Sequence, residues 1–476
     1  INYLAPVSNL TLNMSSASSS VNILDDEVVI AALGTMEKTT AAFVVFVSAS
    51  APTNEFIDFT VSMTAADYQD LQGFGITVAP NFRNIQTNNI RTTVTSNGRI
   101  GFANSNVQAN GSGFFFKNSS NLLFEGAIIA GNNSLRISDA ARGTLLGGSL
   151  TYNEDFAVVA GEELHFRTSN LITDEESVVV LADTRTGTPI GIRVTQESFA
   201  LSAPPNDDFI ILRYTVMNES GDHLQNFHFG LFFDWDLWIR LEDEFNNNTA
   251  GFDAGRRLGY VRFDTLYVGV ALLTTSSDIS YRAIDNNSPT FGVNDGFTDS
   301  EKWQAISSRI QTTGISDKDV SHVIAAGPFN FADGDSVVIG FALLGGEGFN
   351  DLLANTDAAK NLWDTRIVTS VEKLPGSALP STFSLQQNYP NPFNPETRIR
   401  FDIPATIHGA ASVRLVIYNI AGQLVRVLLD EERQAGSYES TWDGKNSAGI
   451  QAPSGTYFYK ITAGDFVETK KMLLLK

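Results

Sequence analysis

The chain has 476 residues, of which 43% are hydrophobic and 11% aromatic, so it can form large hydrophobic cores and is too long for one domain. Its net charge is −21, from 53 acidic and 32 basic residues, which argues against nucleic acids and anionic membranes as partners and favours divalent cations. Cysteine is absent, which excludes disulfides, thiolate metal sites and cysteine nucleophiles. No apolar run reaches about eighteen residues, so no membrane span is predicted. The chain does not begin with Met, and we expect Ile1 to follow a cleavage site.

Residues 1–80 predict a small β-domain. Residues 28–33, 41–48 and 57–63 are rich in Val, Ile and Phe, which is typical of strands. Residues 1–20 are polar and rich in Ser and Asn, which favours a solvated linker, with a lead-in strand as the alternative.

Residues 81–370 predict a large β-sandwich with one helix. Residues 211–217 alternate between apolar and polar side chains, as in a half-buried antiparallel strand. The helix is predicted at 348–364, where apolar residues recur at helical spacing and Asn350 or Asp351 can cap the first turn. Residues 371–382 contain Pro, Gly and Ser and predict a linker. The other predicted strands of the sandwich lie at 97–103, 111–116, 121–131, 190–195, 209–218, 227–233, 259–273 and 337–344.

Two groups of carboxylates are candidates for a calcium site. Asp234 and Asp236 alternate around Trp235, so both should lie on one face at a strand end. Oxygen ligands gathered by a short loop are what Ca²⁺ requires, although an ordinary acidic turn is the alternative in both groups. The first group continues with Asp243, Asn246, Asn247, Asn248 and Asp253, and the second comprises Asp285, Asn286, Asn287, Asn294, Asp295 and Asp299.

Signals for catalysis are missing from the sequence. No subtilisin-type serine segment, zinc-binding HExxH motif or phosphate-binding loop occurs, and the five histidines are interpreted as structural. We therefore predict that the chain is not an enzyme. Aromatic residues such as Trp235, Trp238 and the run 114–116 are interpreted mainly as core, with a binding face as the alternative.

The last ninety or so residues predict a small all-β sandwich. Pro390, Pro392 and Pro395 alternate with asparagines, so this segment cannot lie inside a helix or a paired strand. Short apolar runs separated by Gly-containing turns follow, and their regular spacing is typical of a sandwich. These runs lie at 398–403, 413–420, 423–429, 438–442, 457–463 and 466–475.

Residues 383–476 resemble the C-terminal sorting domain (type A) of the bacterial type IX secretion system. The matching motifs are QNYPNPFNPET, IYNIAGQLVRVL, AGSYESTWDGKNSAG, SGTYFYKITAGDF and KKMLLLK. The resemblance implies an Ig-like fold, recognition by the type IX machinery, and a secreted or cell-surface location. Sorting domains are commonly removed on export, so it also leaves open whether this one is retained. The residues that it assigns to the sorting signal are Pro390, Pro392, Phe393, Pro395, Gly422, Trp442, Gly444, Gly455, Tyr457 and Lys471.

The middle region resembles the β-rich segment downstream of the catalytic domain in some subtilisin-like serine peptidases. The matching residues are SNGRIGFANSNVQANGSGFFF, NLLFEGAIIAG, ISDAARG, APPNDDFIILRYTV and FHFGLFFDWDL. Two main functions remain open: an extracellular structural or interaction protein that self-associates, for example into a filament through free sheet edges, or the non-catalytic part of a secreted peptidase. A carbohydrate-binding module is a third possibility.

Overall fold

The computed structural model describes residues 6–475, apart from 49, 67, 169–170, 239–246, 276, 369–371, 374–379, 381, 405–410, 434–435, 448–449 and 465. Most of the linker predicted at 371–382 therefore lies outside the described residues. The chain divides into two compact units, Ile1–Arg83 and Asn84–Lys476. Antiparallel strands dominate both units, which confirms the all-β class. No helix in the described ranges is long and apolar enough to cross a bilayer.

The first unit consists of a four-stranded antiparallel sheet, ordered β3-β1-β5-β6, and a β2–β4 pair. β1 lies inside the sheet, and its alternating Leu10, Leu12 and Met14 are buried. The interpretation of residues 1–20 as a linker is therefore wrong for β1, because this period-two pattern was hidden among Ser and Asn residues. The strands are β1 (Val7–Ser15), β2 (Val21–Asp25), β3 (Glu27–Leu33), β4 (Val44–Val47), β5 (Phe56–Ala65) and β6 (Tyr68–Thr77).

The central part of the second unit contains two large antiparallel sheets, and the division between the units falls within β7 (Phe82–Ile85). The strands that follow are β8 (Ile90–Thr95), β9 (Arg99–Ile100), β10 (Phe114–Phe116), β11 (Leu123–Asn133), β12 (Arg136–Asp139), β13 (Arg142–Leu146), β14 (Ser149–Tyr152), β15 (Ala157–Val158), β16 (His165–Phe166), β17 (Glu175–Ala182), β18 (Ile192–Ala200), β19 (Phe209–Asn218), β20 (Leu224–Trp235), β21 (Asn248–Asp253), β22 (Leu258–Phe263), β23 (Leu266–Leu272), β24 (Ile279–Asp285), β25 (Ile315–Lys318), β26 (Val320–Phe331) and β27 (Ser336–Gly346).

The two central sheets pack face to face. One is ordered β10-β8-β9-β11-β20-β26-β24 with β12 beside β11, and the other β15-β17-β18-β19-β27-β23-β22-β21-β25 with β16 beside β17. Aromatic rings pack between them: the Tyr214 ring of β19 lies 4.9 Å from the Phe229 ring of β20 in the opposite sheet, and 6.1 Å from the Phe341 ring of β27 in its own sheet, between centroids. Of the aromatic residues considered as a binding face, Phe114, Phe116 and Trp235 are buried, which confirms the core interpretation for them.

Two α-helices lie on the sandwich in the described part of the chain, where the sequence predicted one. α2 (Phe349–Leu362) matches the predicted helix, but its N-cap is Gly348 rather than Asn350 or Asp351. α1 (Asp299–Ser307) was missed because residues 285–299 were interpreted as an acidic loop. Its signal is a capping box, in which the Glu301 amide donates to Thr298 Oγ1 and the Thr298 amide donates to Glu301 Oε2.

The C-terminal part forms a small sandwich with its own core. Its sheets are ordered β28-β33-β30-β29 and β32-β31-β34-β35. It contacts the central sandwich, since Arg426 donates to the Asp364 carbonyl at 2.8 Å and Arg398 to Ser336 Oγ at 3.1 Å. The strands are β28 (Glu372–Lys373), β29 (Ser384–Leu385), β30 (Thr397–Ile403), β31 (Ala411–Asn419), β32 (Leu424–Arg433), β33 (Gly436–Trp442), β34 (Gly455–Ala463) and β35 (Phe466–Leu474).

Two fully buried tyrosines of the central core allow a comparison between a hydroxyl that is hydrogen-bonded and one that is not. The Tyr281 hydroxyl donates to the Gly251 carbonyl at 2.9 Å, whereas the Tyr214 hydroxyl has no hydrogen-bond partner among the described residues. We expect Tyr281→Phe to lower the free energy of unfolding by about 1 kcal/mol, and Tyr214→Phe to leave it unchanged or raise it. Urea unfolding of both variants measures this, and equal losses would contradict the assignment.

Candidate functional site

The proline segment, residues 388–395, is bound to the last strand of the chain. The Phe393 amide donates to the Leu473 carbonyl at 3.0 Å, and the Leu475 amide donates to the Phe393 carbonyl at 2.9 Å. The Leu473 amide also donates to Asn391 Oδ1 at 2.9 Å. The segment therefore lies beside β35 and bonds to it, although prolines prevent it from forming a regular strand.

Asn388 anchors the start of the proline segment from inside the domain. Its buried side-chain amide donates to Thr397 Oγ1 at 2.9 Å and to the Pro390 carbonyl at 3.1 Å. Its backbone amide donates to the Tyr459 hydroxyl at 2.8 Å, and that hydroxyl donates to the Gln386 carbonyl at 2.8 Å. Burial raises the pKa of Tyr459 to about 12, so the hydroxyl stays a donor at any physiological pH.

Three of the predicted sorting residues form one buried aromatic row. The Phe393 and Trp442 rings are 5.6 Å apart, and the Trp442 and Tyr457 rings 5.1 Å apart, between centroids. Trp442 Nε1 donates to the Lys445 carbonyl and Tyr457 Oη to the Pro453 carbonyl, so neither polar tip is unsatisfied. This row fixes the proline segment against the domain core.

The predicted glycines have different local roles. Gly444 has φ +72°, and a Cβ there would meet the Pro395 carbonyl oxygen at 2.8 Å, so a side chain would disturb the proline segment directly. Gly422 has φ +75° and closes the turn between β31 and β32. Gly455 begins β34 with φ +157°, and a Cβ there would meet no atom within 4 Å, so its backbone conformation rather than crowding favours glycine.

The outer side of the same site is open to solvent. Tyr389 is 62% exposed, and Pro390, Pro392 and Lys471 are exposed as well. β35 is the edge strand of its sheet. The exposed side chains of tyrosine, proline and lysine thus lie on a backbone that buried residues hold in place. Such a preorganised surface can bind a partner at little entropic cost.

The first predicted carboxylate pair, Asp234 and Asp236, lies at the end of β20 in a charged cluster around Arg142. The Arg142 guanidinium is buried and pairs with Glu125 Oε2 at 2.7 Å and with Asp234 Oδ2. The second Asp234 oxygen accepts from Asn286 Nδ2 at 2.7 Å and Ser321 Oγ at 2.9 Å. Asp234 is therefore fully occupied by protein donors.

A further carboxylate, Asp319, joins this cluster. Asn286 Nδ2 donates to its Oδ1 at 2.5 Å and Asn294 Nδ2 to its Oδ2 at 3.3 Å. Burial and the neighbouring Asp234 raise the pKa of Asp319, and burial with Asp234 and Asp319 raises the pKa of Asp236 to about 7. The cluster holds more negative charge than Arg142 alone neutralises.

Asn286 and Asn294 of the second predicted group belong to this cluster, whereas Asp253, Asp295 and Asp299 have other surroundings. Asp253 ends β21 and accepts from the Arg256 amide at 2.8 Å, Asp295 is exposed in a loop, and Asp299 is the first residue of α1. Asp243 and Asn246 lie outside the described residues. Sequence reasoning missed Glu125, Arg142 and Asp319, because only strand pairing brings them to Asp234; the Asp317-Lys-Asp319 run before β26 was the one available signal.

Within the described ranges, no group of three or more His, Asp or Glu side chains is arranged to hold a metal ion. Calcium binding stays a prediction. The two histidines in the central core have structural partners: Trp235 Nε1 donates to His322 Nε2 at 3.2 Å, and the His228 ring lies 5.3 Å from that of Trp303. Burial lowers the pKa of His322 to about 3, so it stays neutral.

Comparison with known protein families finds a match for the C-terminal part of the chain. The family model described as the FlgD Ig-like domain matches residues 393–465. This part of the chain is an Ig-like domain of that kind. It contains most of the predicted sorting residues, from Phe393 to Tyr457. No curated protein matches the chain significantly.

Solved structures similar to the chain are distant. A bacterial glucoamylase complexed with acarbose has 10% identity and a TM-score of 0.34, and the match covers 58% of this chain and 33% of the enzyme. Dimeric latent PorU from Porphyromonas gingivalis has 14% identity and a TM-score of 0.17, covering 77% and 36%. PorZ of the same organism, a surface component of its type IX secretion system, has 10% identity and a TM-score of 0.15, covering 94% and 69%. The chain thus spans about a third of the first two proteins.

Asp236 predicts a pH dependence of stability. An acid with a folded pKa of about 7 and an unfolded pKa of about 4 keeps its proton longer in the folded state. Its contribution to stability is therefore complete below pH 4 and is lost as the pH rises through 7. We expect Asp236→Asn to match the wild type at pH 4 and to exceed its free energy of unfolding by about 1–2 kcal/mol at pH 8.

Urea unfolding at both pH values, with a chelator present, measures this difference. Asp295→Asn, at an exposed carboxylate outside the cluster, is the control and should follow the wild type at both pH values. An Asp236→Asn variant that is less stable than the wild type at pH 8 would contradict the electrostatic assignment.

Proposed function

We propose that this chain is a non-catalytic protein exported by the type IX secretion system, which acts outside the cell as a structural or interaction protein. The observation that carries the proposal is the hydrogen bonding between the proline segment and β35. These two elements are among the motifs by which residues 383–476 resemble type IX sorting domains, and they bond to each other on an FlgD Ig-like domain.

The architecture of the C-terminal domain suits an export address. Its hydrophobic core is separate from that of the central sandwich, so it can keep its shape whatever cargo precedes it. The row Phe393, Trp442 and Tyr457 fixes the inner side of the proline segment, while Tyr389 and Lys471 face solvent. A receptor would bind this surface without a large ordering cost, because the backbone is already held.

The use of buried charges supports a structural role for the central sandwich. Arg142 pairs with Glu125, Arg213 with Glu197 at 2.6 Å, and Lys302 with Asp139 at 2.9 Å, all inside the protein. A pocket beside Trp363, Glu396 and Lys445 has a volume of about 20 Å³, which holds one water molecule rather than a substrate.

The free edge strand of the first unit, β6, supports self-association. Repeated association through this edge would produce a filament. β6 pairs with β5 and with no other strand in the described residues, which leaves one side of its backbone without a partner strand. Leu71 and Phe74 of β6 are 65% and 51% exposed, and the strand carries neither Lys nor Pro, the usual protection of an edge. A second copy can add a strand there.

Export can be tested by expressing the full chain behind a secretory signal peptide in a bacterium with a type IX system. We expect the wild type at the cell surface or in the medium, and Tyr389→Ala/Lys471→Glu retained in the periplasm, because the change removes exposed recognition groups and leaves the core intact. Ile450→Ala, another exposed position of the domain at 64%, should be exported normally.

Equal export of all three proteins, or export in a strain without the type IX translocon, would refute the address. Thermal unfolding of the purified variants shows whether the retained protein was folded. A Tyr389→Ala/Lys471→Glu protein with the wild-type melting temperature separates lost recognition from lost structure.

Self-association is measured by sedimentation equilibrium over a range of concentrations. We expect the wild type to form oligomers and Leu71→Lys to weaken them, since a charge is placed on the free β6 edge. Leu135→Lys changes an even more exposed leucine, at 81%, in the turn between β11 and β12 and should behave as the wild type. A wild type that stays monomeric throughout would refute assembly through β6.

A further inference from the structure

Lys302 and Asp139 form a fully buried pair in which the amine contacts both carboxyl oxygens. Lys302 lies on α1 and Asp139 ends β12, and neither side chain has any exposed surface. Lys302 Nζ is 2.9 Å from Asp139 Oδ1 and 2.9 Å from Oδ2. A nitrogen at equal distance from both oxygens faces the carboxyl carbon, so the amine and its electrophile are held in contact.

We propose that Lys302 and Asp139 join through an intramolecular isopeptide bond. The ion pair first becomes neutral, as one proton moves from Nζ to the carboxylate. The amine lone pair then attacks Cγ, which forms the C–N bond. The hydroxyl of the resulting tetrahedral carbon leaves with a proton from the nitrogen, so one C–O bond breaks and one water is released. The step needs no oxidant, reductant or cofactor.

The surroundings of the pair favour this reaction. The complete burial of both side chains penalises the charged pair relative to the neutral one, and it would shield the product amide from hydrolysis. The Phe297 ring lies 5.7 Å from Lys302 Nζ and covers it on one side. Groups fixed in contact react as if at an effective concentration of roughly 10⁵–10⁸ M, which offsets the low reactivity of a carboxyl group.

Two hydrogen-bond donors hold the Asp139 carboxyl group. The Ala141 amide donates to Oδ1 at 2.9 Å, and Asn153 Nδ2 donates to Oδ2 at 2.9 Å. Both remain in place when the carbon becomes tetrahedral, and they stabilise the negative charge that develops on its oxygens.

Asp155 supplies a group for moving the protons. Its Oδ2 accepts from the Asp139 backbone amide at 2.9 Å, which places the two aspartates side by side. Burial and the charge of Asp139 raise the pKa of Asp155 to about 6, so it both accepts and returns a proton near neutral pH. Lys302 and Asp139 thus provide a buried nucleophile and electrophile, and Asp155 is a half-buried acid beside them that can carry the proton.

The bond would replace a disulfide in a chain without cysteine. It would close the loop from Asp139 to Lys302 and tie α1 to β12 covalently. Closing a long loop stabilises the folded state by restricting the unfolded one. Such a link suits a protein that works outside the cell, although the inference rests on the geometry and does not depend on the proposed export.

The intact mass of the purified full chain tests the proposal. We expect the wild type to be lighter than its sequence by one water molecule, and a protease digest to contain one branched peptide that joins the segments around residues 139 and 302. Lys302→Arg should have the full sequence mass. A wild type of full mass, or one whose lost water maps to a succinimide within a single peptide, would overturn the proposal.

An internal control and one variant complete the experiment. Lys360 and Asp364 lie 2.6 Å apart but are partly exposed, so they should give no branched peptide in the same digest. Asp155→Asn keeps an oxygen for the Asp139 amide but cannot carry a proton. We expect it to fold normally, with an unchanged circular dichroism spectrum, and to form the bond several-fold more slowly after synthesis in a cell-free system. Bond formation at the wild-type rate would remove Asp155 from the reaction.

Discussion

The packing of the two central sheets against each other is the constraint on which the rest of this structure depends. Consecutive strands β19 and β20 lie in opposite sheets, as do β26 and β27, so the chain crosses the core twice between its longest strands. Tyr214, Phe229 and Phe341 fill that interface. Each α-helix is mounted on the outside of one sheet, and the C-terminal domain contacts the segment after α2. Loss of the inter-sheet core would therefore release the helices and the docked Ig-like domain together.

Charged side chains are the second feature of this sandwich. A chain without disulfides places arginine and lysine inside the protein and surrounds each with carboxylates, amides and carbonyls. Buried pairs of this kind add little stability by themselves, but they penalise any arrangement that leaves a charge unpaired. The Arg142 side chain bonds to Glu125 on β11 and to Asp234 on β20, and so it fixes the relative position of these two neighbouring strands. Lys302 does the same between α1 and β12, where its amine contacts both oxygens of Asp139.

Local patterns in the sequence predicted much of the fold but little of the charged sites. The strand predicted at 211–217 and the helix predicted at 348–364 appear in the structure as β19 and α2, because both patterns depend on near neighbours in the chain. The prediction that the strand is half-buried is wrong, since both faces of β19 are buried at 209–214. β1 and α1 had signals as well, Leu10-Leu12-Met14 and the Thr298/Glu301 capping box, which a polar composition concealed.

Asp234 and Asp236 were predicted to share a face, and both lie in the charged cluster around Arg142. Their partners Arg142 and Asp319 are distant in sequence, so no local pattern shows that they contact Asp234 and Asp236. The contact between residues 388–395 and the last strand likewise depends on the topology of the Ig-like domain. The sequence motifs identified both segments but did not predict that they bond to each other.

The most direct test of the central claim, that the C-terminal domain directs this chain out of the cell, is to locate the protein in its native organism. Surface labelling of intact cells followed by mass spectrometry of both termini identifies where the chain resides and whether the domain remains attached. We predict a surface-labelled or released protein whose amount outside the cell falls when the type IX translocon is inactivated. A protein that stays unlabelled inside intact cells, with or without the translocon, would contradict it.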